Sequence, residues 1–266
     1  LFKTFQIIKQ RTMTALSRSG LPGLDYALNP YMGCFHACIY CYARLYTRDK
    51  RVSENWGRVV IVKENLLEVL NSEVKRLKRG VVGVGTITDA YQPVETVFKL
   101  TREAVRILLN NGFRVSIQTK SPLILRDIDV LSASKELVDI GFTITSVICD
   151  RSRQVEPNAP CPESRIDALR RLSKLGFNTW VFYGPIIPGF NDDEDTITLL
   201  VDIASETNSV LYYDPLHFKP FMRNPKHPLH PLFASRTFQE RITRAINHLR
   251  SECLERGVQC KGGFEY

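Results

Sequence analysis

The chain of 266 residues lacks any apolar run approaching the ~18 residues that a membrane span needs. No secretory leader is expected from Leu1 to Ser19, which mixes Lys, Arg, Gln and Thr with no apolar centre. No low-complexity stretch is present, which excludes a disordered or fibrous reading. The first residue is Leu and not Met, so a trimmed or processed start is expected. Acidic residues are missing between Asn29 and Tyr46, a loop that instead holds three cysteines. These absences leave a globular chain with no membrane partner and turn attention to that loop.

What is present is ordinary in bulk and uneven in detail. Hydrophobic residues make up 44% and charged residues 24%, enough for a full core. The 36 Lys and Arg exceed the 28 acidic residues, and the net charge of +8 suits a polyanion such as nucleic acid. A basic surface without such a partner has the same composition. Seven cysteines, with three in one loop and four scattered, do not read as a disulfide framework. Thiols in a reducing cytoplasm are expected.

Cys34, Cys38 and Cys41 follow the spacing C-x3-C-x2-C. Three thiolates on a four-iron cubane leave one iron open. An open metal corner accepts a chelating small molecule, which suits catalysis better than electron storage. Sulfur ligands with no carboxylate among them favour iron–sulfur chemistry over magnesium or calcium. The competing reading is a basic binding module whose structural zinc is completed by His36 or a distant Cys. Zinc sites, however, usually pair two ligands in a short knuckle with two more a dozen or more residues away.

Along the chain, residues 1–20 read as an arm or extra strand, and residues 26–32 as one strand delivering the chain into the cysteine loop. Gly33 is expected to let the backbone approach a bulky cluster. Strands over 81–87, 114–119, 139–148, 178–187 and 210–218 alternate with helices over 65–78, 100–110, 124–131, 162–175 and 194–207. A long helix over 236–256 closes the chain. Such alternation gives βα units and a parallel sheet. The fold class predicted is α/β, a partial (βα)6 TIM-type barrel over residues 21–218 of a single domain 1–266, with the N-terminal arm and a C-terminal helical extension over 219–266. Its site belongs at the C-terminal ends of the strands.

The blocks LPGLDYALNPYMGCFHACIYCYAR, GTITDAYQPVE, IQTKSPLILRDID, EPNAPCPESRIDAL and GPIIPGFND run in order from Leu21 to about Asp192. Together they resemble the spore photoproduct lyase-like branch of the radical S-adenosylmethionine (SAM) superfamily. The resemblance implies a [4Fe-4S] cluster on Cys34, Cys38 and Cys41, with SAM chelated at the open iron. It implies an external one-electron donor of flavodoxin or ferredoxin type, and cleavage of SAM to a 5′-deoxyadenosyl radical that abstracts hydrogen. SAM contacts are implied at Tyr40 for adenine, at Tyr42, at Thr88 and Asp89 for the amino group, at Lys120, at Thr145 for the ribose, and at Ile187. Each has an ordinary reading beside it: core packing for the tyrosines, a turn cap for Asp89, an exposed Lys120, a β-branched strand residue at Thr145. Arg165, nine residues beyond Glu156, is expected to pair with it. His227 and His230 read as loop polarity, and Cys161, Cys253 and Cys260 carry no ligand spacing.

One departure matters. The lyase's hydrogen-returning cysteine falls in the segment ending at Thr88-Asp89, yet residues 81–89 hold no Cys and Ile87 stands in its place. Photoproduct repair itself is therefore in doubt, and Cys149 becomes the candidate hydrogen donor. The substrate expected is a nucleic acid, with a peptide, protein or small molecule as the alternative.

Overall fold

The computed structural model describes residues 5–263, so the first four residues of the expected arm and the last three of the expected extension lie outside the described residues. Two compact units are present, one of residues 5–37, 41–141 and 176–178 and one of residues 38–40, 142–175 and 179–263.

The strands of the first unit are β1 (Gln6–Gln10), β2 (Leu16–Arg18), β3 (Tyr26–Leu28), β4 (Tyr31–Met32), β5 (Val59–Lys63), β6 (Val81–Val84), β7 (Arg114–Thr119) and the start of β8 (Val138–Thr143). A small sheet has the order β1-β5-β4, with β1 parallel and β4 antiparallel to β5. The other sheet runs β2-β3-β6-β7-β8; β2 is antiparallel to β3, while β3, β6 and β7 are parallel, Tyr26 facing Val82 and Val82 facing Val115. Val82 and Val84, and Val115 and Ile117, stand two apart on one face of their strands and are all buried, which marks that face as the core side. Helices Leu66–Glu73 and Leu100–Asn110 bury Leu66 and Leu70, and Leu100, Ala104, Val105, Leu108 and Leu109.

The leader thus supplies two strands, and the strand expected over 26–32 is broken in two. Pro30 has no N–H to give a ladder. Asn29 turns its side chain to Thr86 Oγ1 (3.0 Å) and to the Ile87 N–H (2.9 Å), so Tyr26–Leu28 joins one sheet and Tyr31–Met32 the other.

In the second unit the order is β8-β9-β10-β11, with β9 (Asn178–Ile186), β10 (Val210–Pro215) and β11 (Cys260–Gly262) parallel. Helices Pro162–Lys174, Glu194–Glu206 and Phe238–Glu255 follow the expected pattern. The strand expected over 139–148 stops at Thr143, and Cys149–Val155 is helical instead. Ser146 accounts for part of the turn, its hydroxyl accepting the Ile148 N–H at 3.2 Å.

The four scattered cysteines, expected as thiols, are paired. Cys149 bonds to Cys161 and Cys253 to Cys260, with Cα–Cα distances of 5.0 and 6.3 Å. The second pair ties the end of the closing helix to β11. No described helix is long and apolar enough to cross a membrane.

Candidate functional site

The cysteine loop is entered through Gly33, whose φ of +89° lies in the left-handed region and whose missing Cβ would meet the Val59 carbonyl oxygen at 2.6 Å. The room this glycine makes is taken by β5. Thr88 and Gln92 then fasten the first turn. The Thr88 hydroxyl donates to the Gly33 carbonyl at 2.6 Å, Gln92 Nε2 donates to the same oxygen at 2.9 Å, and Gln92 Oε1 accepts the Phe35 N–H at 2.9 Å. Gln92 is fully buried and was not singled out from the sequence; the signal available was its place, four residues past Thr88 in the TITDAYQ block.

Asp89 does more than cap a turn. Its Oδ1 accepts the Tyr91 N–H (2.9 Å) and the Thr119 hydroxyl (2.7 Å), and its Oδ2 accepts the Lys120 N–H (2.8 Å) and faces His36 Nδ1 at 3.3 Å. Burial would raise its carboxyl, but His36, the Lys120 N–H and the Thr119 hydroxyl outweigh burial and hold it well below the usual carboxylate range. His36 is 1% exposed, and among the described residues neither ring nitrogen makes a hydrogen bond. A buried nitrogen of that kind is costly unless something completes it.

Of the cysteines, Cys34 and Cys38 are buried and Cys41 less so, and all three stand outside the two disulfides. Burial pushes the Cys41 thiol up, while the Ala43 N–H, the Lys120 charge and the Arg44 N–H act in favour of the thiolate. Tyr42 donates its hydroxyl to the Thr86 carbonyl, packs edge-on against Tyr46 and has its own pKa pushed up to about 12, mainly by burial.

In the second unit a different set converges on Glu156. Its Oε1 accepts from the Tyr40 hydroxyl and from Thr145 Oγ1 (2.8 Å); its Oε2 accepts from Ser152 Oγ (3.1 Å) and pairs with Arg165 Nη2 at 2.6 Å. Glu156 and Arg165 are both fully buried, so the expected pair is present and water does not reach it. Asn191, unremarked in the sequence, donates Nδ2 to the Thr145 carbonyl (2.7 Å) and to the Pro185 carbonyl (3.0 Å), and accepts the Ile187 N–H (2.6 Å). Ile187 itself lies in an apolar cluster with Val155, Leu216, Met222 and Leu229, against which Ile39 and Tyr40 pack. His227, expected as loop polarity, donates Nε2–H to the Ile39 carbonyl at 3.1 Å while its Nδ1 accepts the Leu229 N–H at 3.2 Å.

Cys149, expected as a hydrogen donor, cannot act as one. A sulfur bonded to Cys161 carries no S–H, so it has no hydrogen to return. For the same reason the grouping of Cys149, Cys161 and Glu163 is not a free ligand set for a metal. The loop is different. Cys34, Cys38 and Cys41 are soft sulfur donors of the kind an iron–sulfur cluster takes, with backbone N–H groups favouring the thiolate at Cys41.

The Radical SAM superfamily model matches residues 28–200, which contain the whole loop. The chain belongs to the radical SAM superfamily. An uncharacterized protein of Methanocaldococcus jannaschii is 32% identical over 255 residues, 93% of this chain and 94% of that one. An uncharacterized protein of Mycobacterium tuberculosis is 30% identical over 182 residues; the chain spans only 54% of its length. Among solved structures, a variant of spore photoproduct lyase superposes with a TM-score of 0.72 at 15% identity, over 97% of this chain and 82% of the lyase. The same lyase with bound AdoMet and dinucleoside spore photoproduct gives 0.71 at 14% identity, over 98% and 82%. The fold is therefore the α/β fold of that lyase, its strands mostly parallel, and a partial TIM-type barrel is consistent with it. Membership in the superfamily brings SAM and an iron–sulfur cluster with it, and does not favour the reading as a zinc module.

Proposed function

We propose that this radical SAM enzyme cleaves SAM reductively at a [4Fe-4S] cluster held by Cys34, Cys38 and Cys41, and abstracts hydrogen from a nucleic-acid substrate. The observation that carries the reading is the C-x3-C-x2-C loop, its cysteines outside both disulfides, inside the stretch matched by the superfamily model. When bound, the cluster and SAM supply a one-electron cleavage that yields a hydrogen-abstracting radical, the electron coming from an external flavodoxin- or ferredoxin-type donor.

The chain's own residues bind and orient. Cys34, Cys38 and Cys41 offer three thiolates and leave a corner for the amino and carboxylate groups of SAM. Lys120, whose charge acts on both Cys41 and Tyr42, suits that carboxylate. Thr88 and Asp89 commit their hydrogen bonds to Gly33, Tyr91, Thr119 and Lys120, so their part is to fix the loop and its surroundings. Tyr40 and Ile187, which pack in one apolar cluster, are assigned to adenine, and Thr145, whose hydroxyl donates to Glu156, is assigned to the ribose as an acceptor.

The net charge of +8 supports a nucleic-acid substrate, as does the dinucleoside bound by the lyase of similar fold. Repair of a spore photoproduct is not part of the proposal: Ile87 stands where the lyase's cysteine falls, and Cys149 is in a disulfide. The test is anaerobic incubation of the reconstituted protein with SAM and dithionite. The expected product is 5′-deoxyadenosine, its yield raised by added nucleic acid in a salt-sensitive way. A fully loaded protein that forms none overturns the proposal; formation that is indifferent to nucleic acid overturns the substrate class alone.

A further inference from the structure

We infer that Glu156, held by Arg165, is a positioning residue that sets the Tyr40 ring and the Thr145 hydroxyl together for SAM. The inference rests on the SAM-binding reading above and concerns how that site is kept in shape.

Glu156 Oε1 accepts from both Tyr40 and Thr145, two side chains separated by 105 residues, while Oε2 is fixed by Ser152 and Arg165. Arg165 is in turn immobilised by backbone: Nε and Nη2 donate to the Pro160 carbonyl at 2.8 and 2.6 Å, and Nη1 to the Thr143 carbonyl at 3.0 Å. A fully buried ion pair adds little stability over an apolar pair of the same size, so its value here lies in direction.

The neighbouring residue is pinned from two more sides. The Ile39 N–H donates to the Val155 carbonyl at 2.9 Å, and its carbonyl accepts from His227 at 3.1 Å. Main chain and phenol end of the 39–40 segment are thus both fixed, and the ring packs against the cluster that contains Ile187. Thr145 is fixed likewise, its hydroxyl by Glu156 and its carbonyl by Asn191.

The test is a double-mutant cycle on SAM affinity, measured by equilibrium binding to anaerobically reconstituted protein, with Tyr40→Phe, Glu156→Gln and both together. Each single variant is expected to weaken binding about tenfold, and the double variant no further than the weaker single one. Losses that multiply, to about a hundredfold, overturn the inference. Because Glu156→Gln leaves a buried Arg165 uncompensated and can fail to fold, the isosteric pair Glu156→Leu with Arg165→Met is the second variant. It is expected to melt near the wild type and to accept cluster, yet to bind SAM about tenfold more weakly and to show a smaller SAM-induced change in the cluster's electron paramagnetic resonance. Wild-type affinity in that folded variant overturns the inference. A loaded wild-type protein that binds no SAM sinks the functional reading and this inference with it, whereas wild-type binding with uncoupled losses sinks this inference alone.

Discussion

Two buried carboxylates in this chain each face a basic side chain, and they are finished differently. Glu156 and Arg165 meet at 2.6 Å, and each of the three guanidinium nitrogens donates to an oxygen. Asp89 and His36 stand 3.3 Å apart, and the far imidazole nitrogen has no partner among the described residues. A saturated pair is scaffold, because nothing more can bind to it. The other pair keeps a buried imidazole nitrogen without a partner among the described residues, two positions from Cys34 and two from Cys38 in the sequence.

The sharpest way to break this comparison is to remove one partner of each pair. Arg165→Ala is expected to cost about 3–5 kcal/mol of folding stability, since it strands a buried carboxylate, and chemical denaturation of the apo-protein measures it. An effect under ~1 kcal/mol would place Glu156 in a wet or already neutral environment. Next in size is the disulfide whose loop brackets Glu156. Replacing Cys149 and Cys161 by Ser opens a loop of sequence separation 12 and is expected to cost about 3 kcal/mol. Thiol titration of the denatured, unreduced apo-protein should find three reactive groups of the seven, the other four appearing on reduction.

Asp89→Asn is a smaller test with a pH signature. The folded-state pKa of Asp89 is depressed, so its stabilisation is present above the ordinary carboxylate value near 4 and is lost as pH falls through the depressed value. The substitution should cost about 2 kcal/mol at pH 7, with the gap to wild type narrowing below about pH 4. A gap that stays constant with pH contradicts an ionised Asp89. Smallest of all is His36→Leu. Losing the contact to Asp89 and removing a buried nitrogen without a partner act in opposite directions, and apo stability should stay within about 1 kcal/mol of wild type. Retention of iron should nevertheless fall, and a His36 variant that holds iron as well as wild type would make the open nitrogen a packing accident.

The sequence spoke most clearly where chemistry and periodicity agree. The β6, β7, β9 and β10 strands and the helices Leu100–Asn110, Pro162–Lys174 and Glu194–Glu206 were legible because apolar spacing and stop residues such as Gly112 and Gly176 coincide, whereas the helix expected over 124–131 is a 3-10 segment, Pro122–Asp127, followed by the short helix Ile128–Ser132. Spacing also exposed the loop cysteines and the Glu156–Arg165 pair. Residues acting at long range were hidden: Gln92 on Gly33, Asn191 on Thr145 and His227 on Ile39 are 59, 46 and 188 residues apart, and no local pattern reports such contacts. The disulfides escaped for the same reason, since an odd cysteine count with scattered positions says nothing about which sulfurs meet in space. The helix Cys149–Val155 was misread because SVICD continues the apolar, β-branched run of β8, and only the Ser146 turn ends the strand.

The central claim is that the loop of Cys34, Cys38 and Cys41 carries the chemistry while the rest of the molecule holds it in place. Iron and sulfide analysis of the anaerobically reconstituted protein, beside a variant with all three cysteines replaced by alanine, tests it most directly. About four irons and four sulfides per wild-type chain are expected, with almost none in the variant and an unchanged circular dichroism spectrum in the apo form. Zinc without iron in the wild type, or a full cluster surviving in the alanine variant, would contradict it.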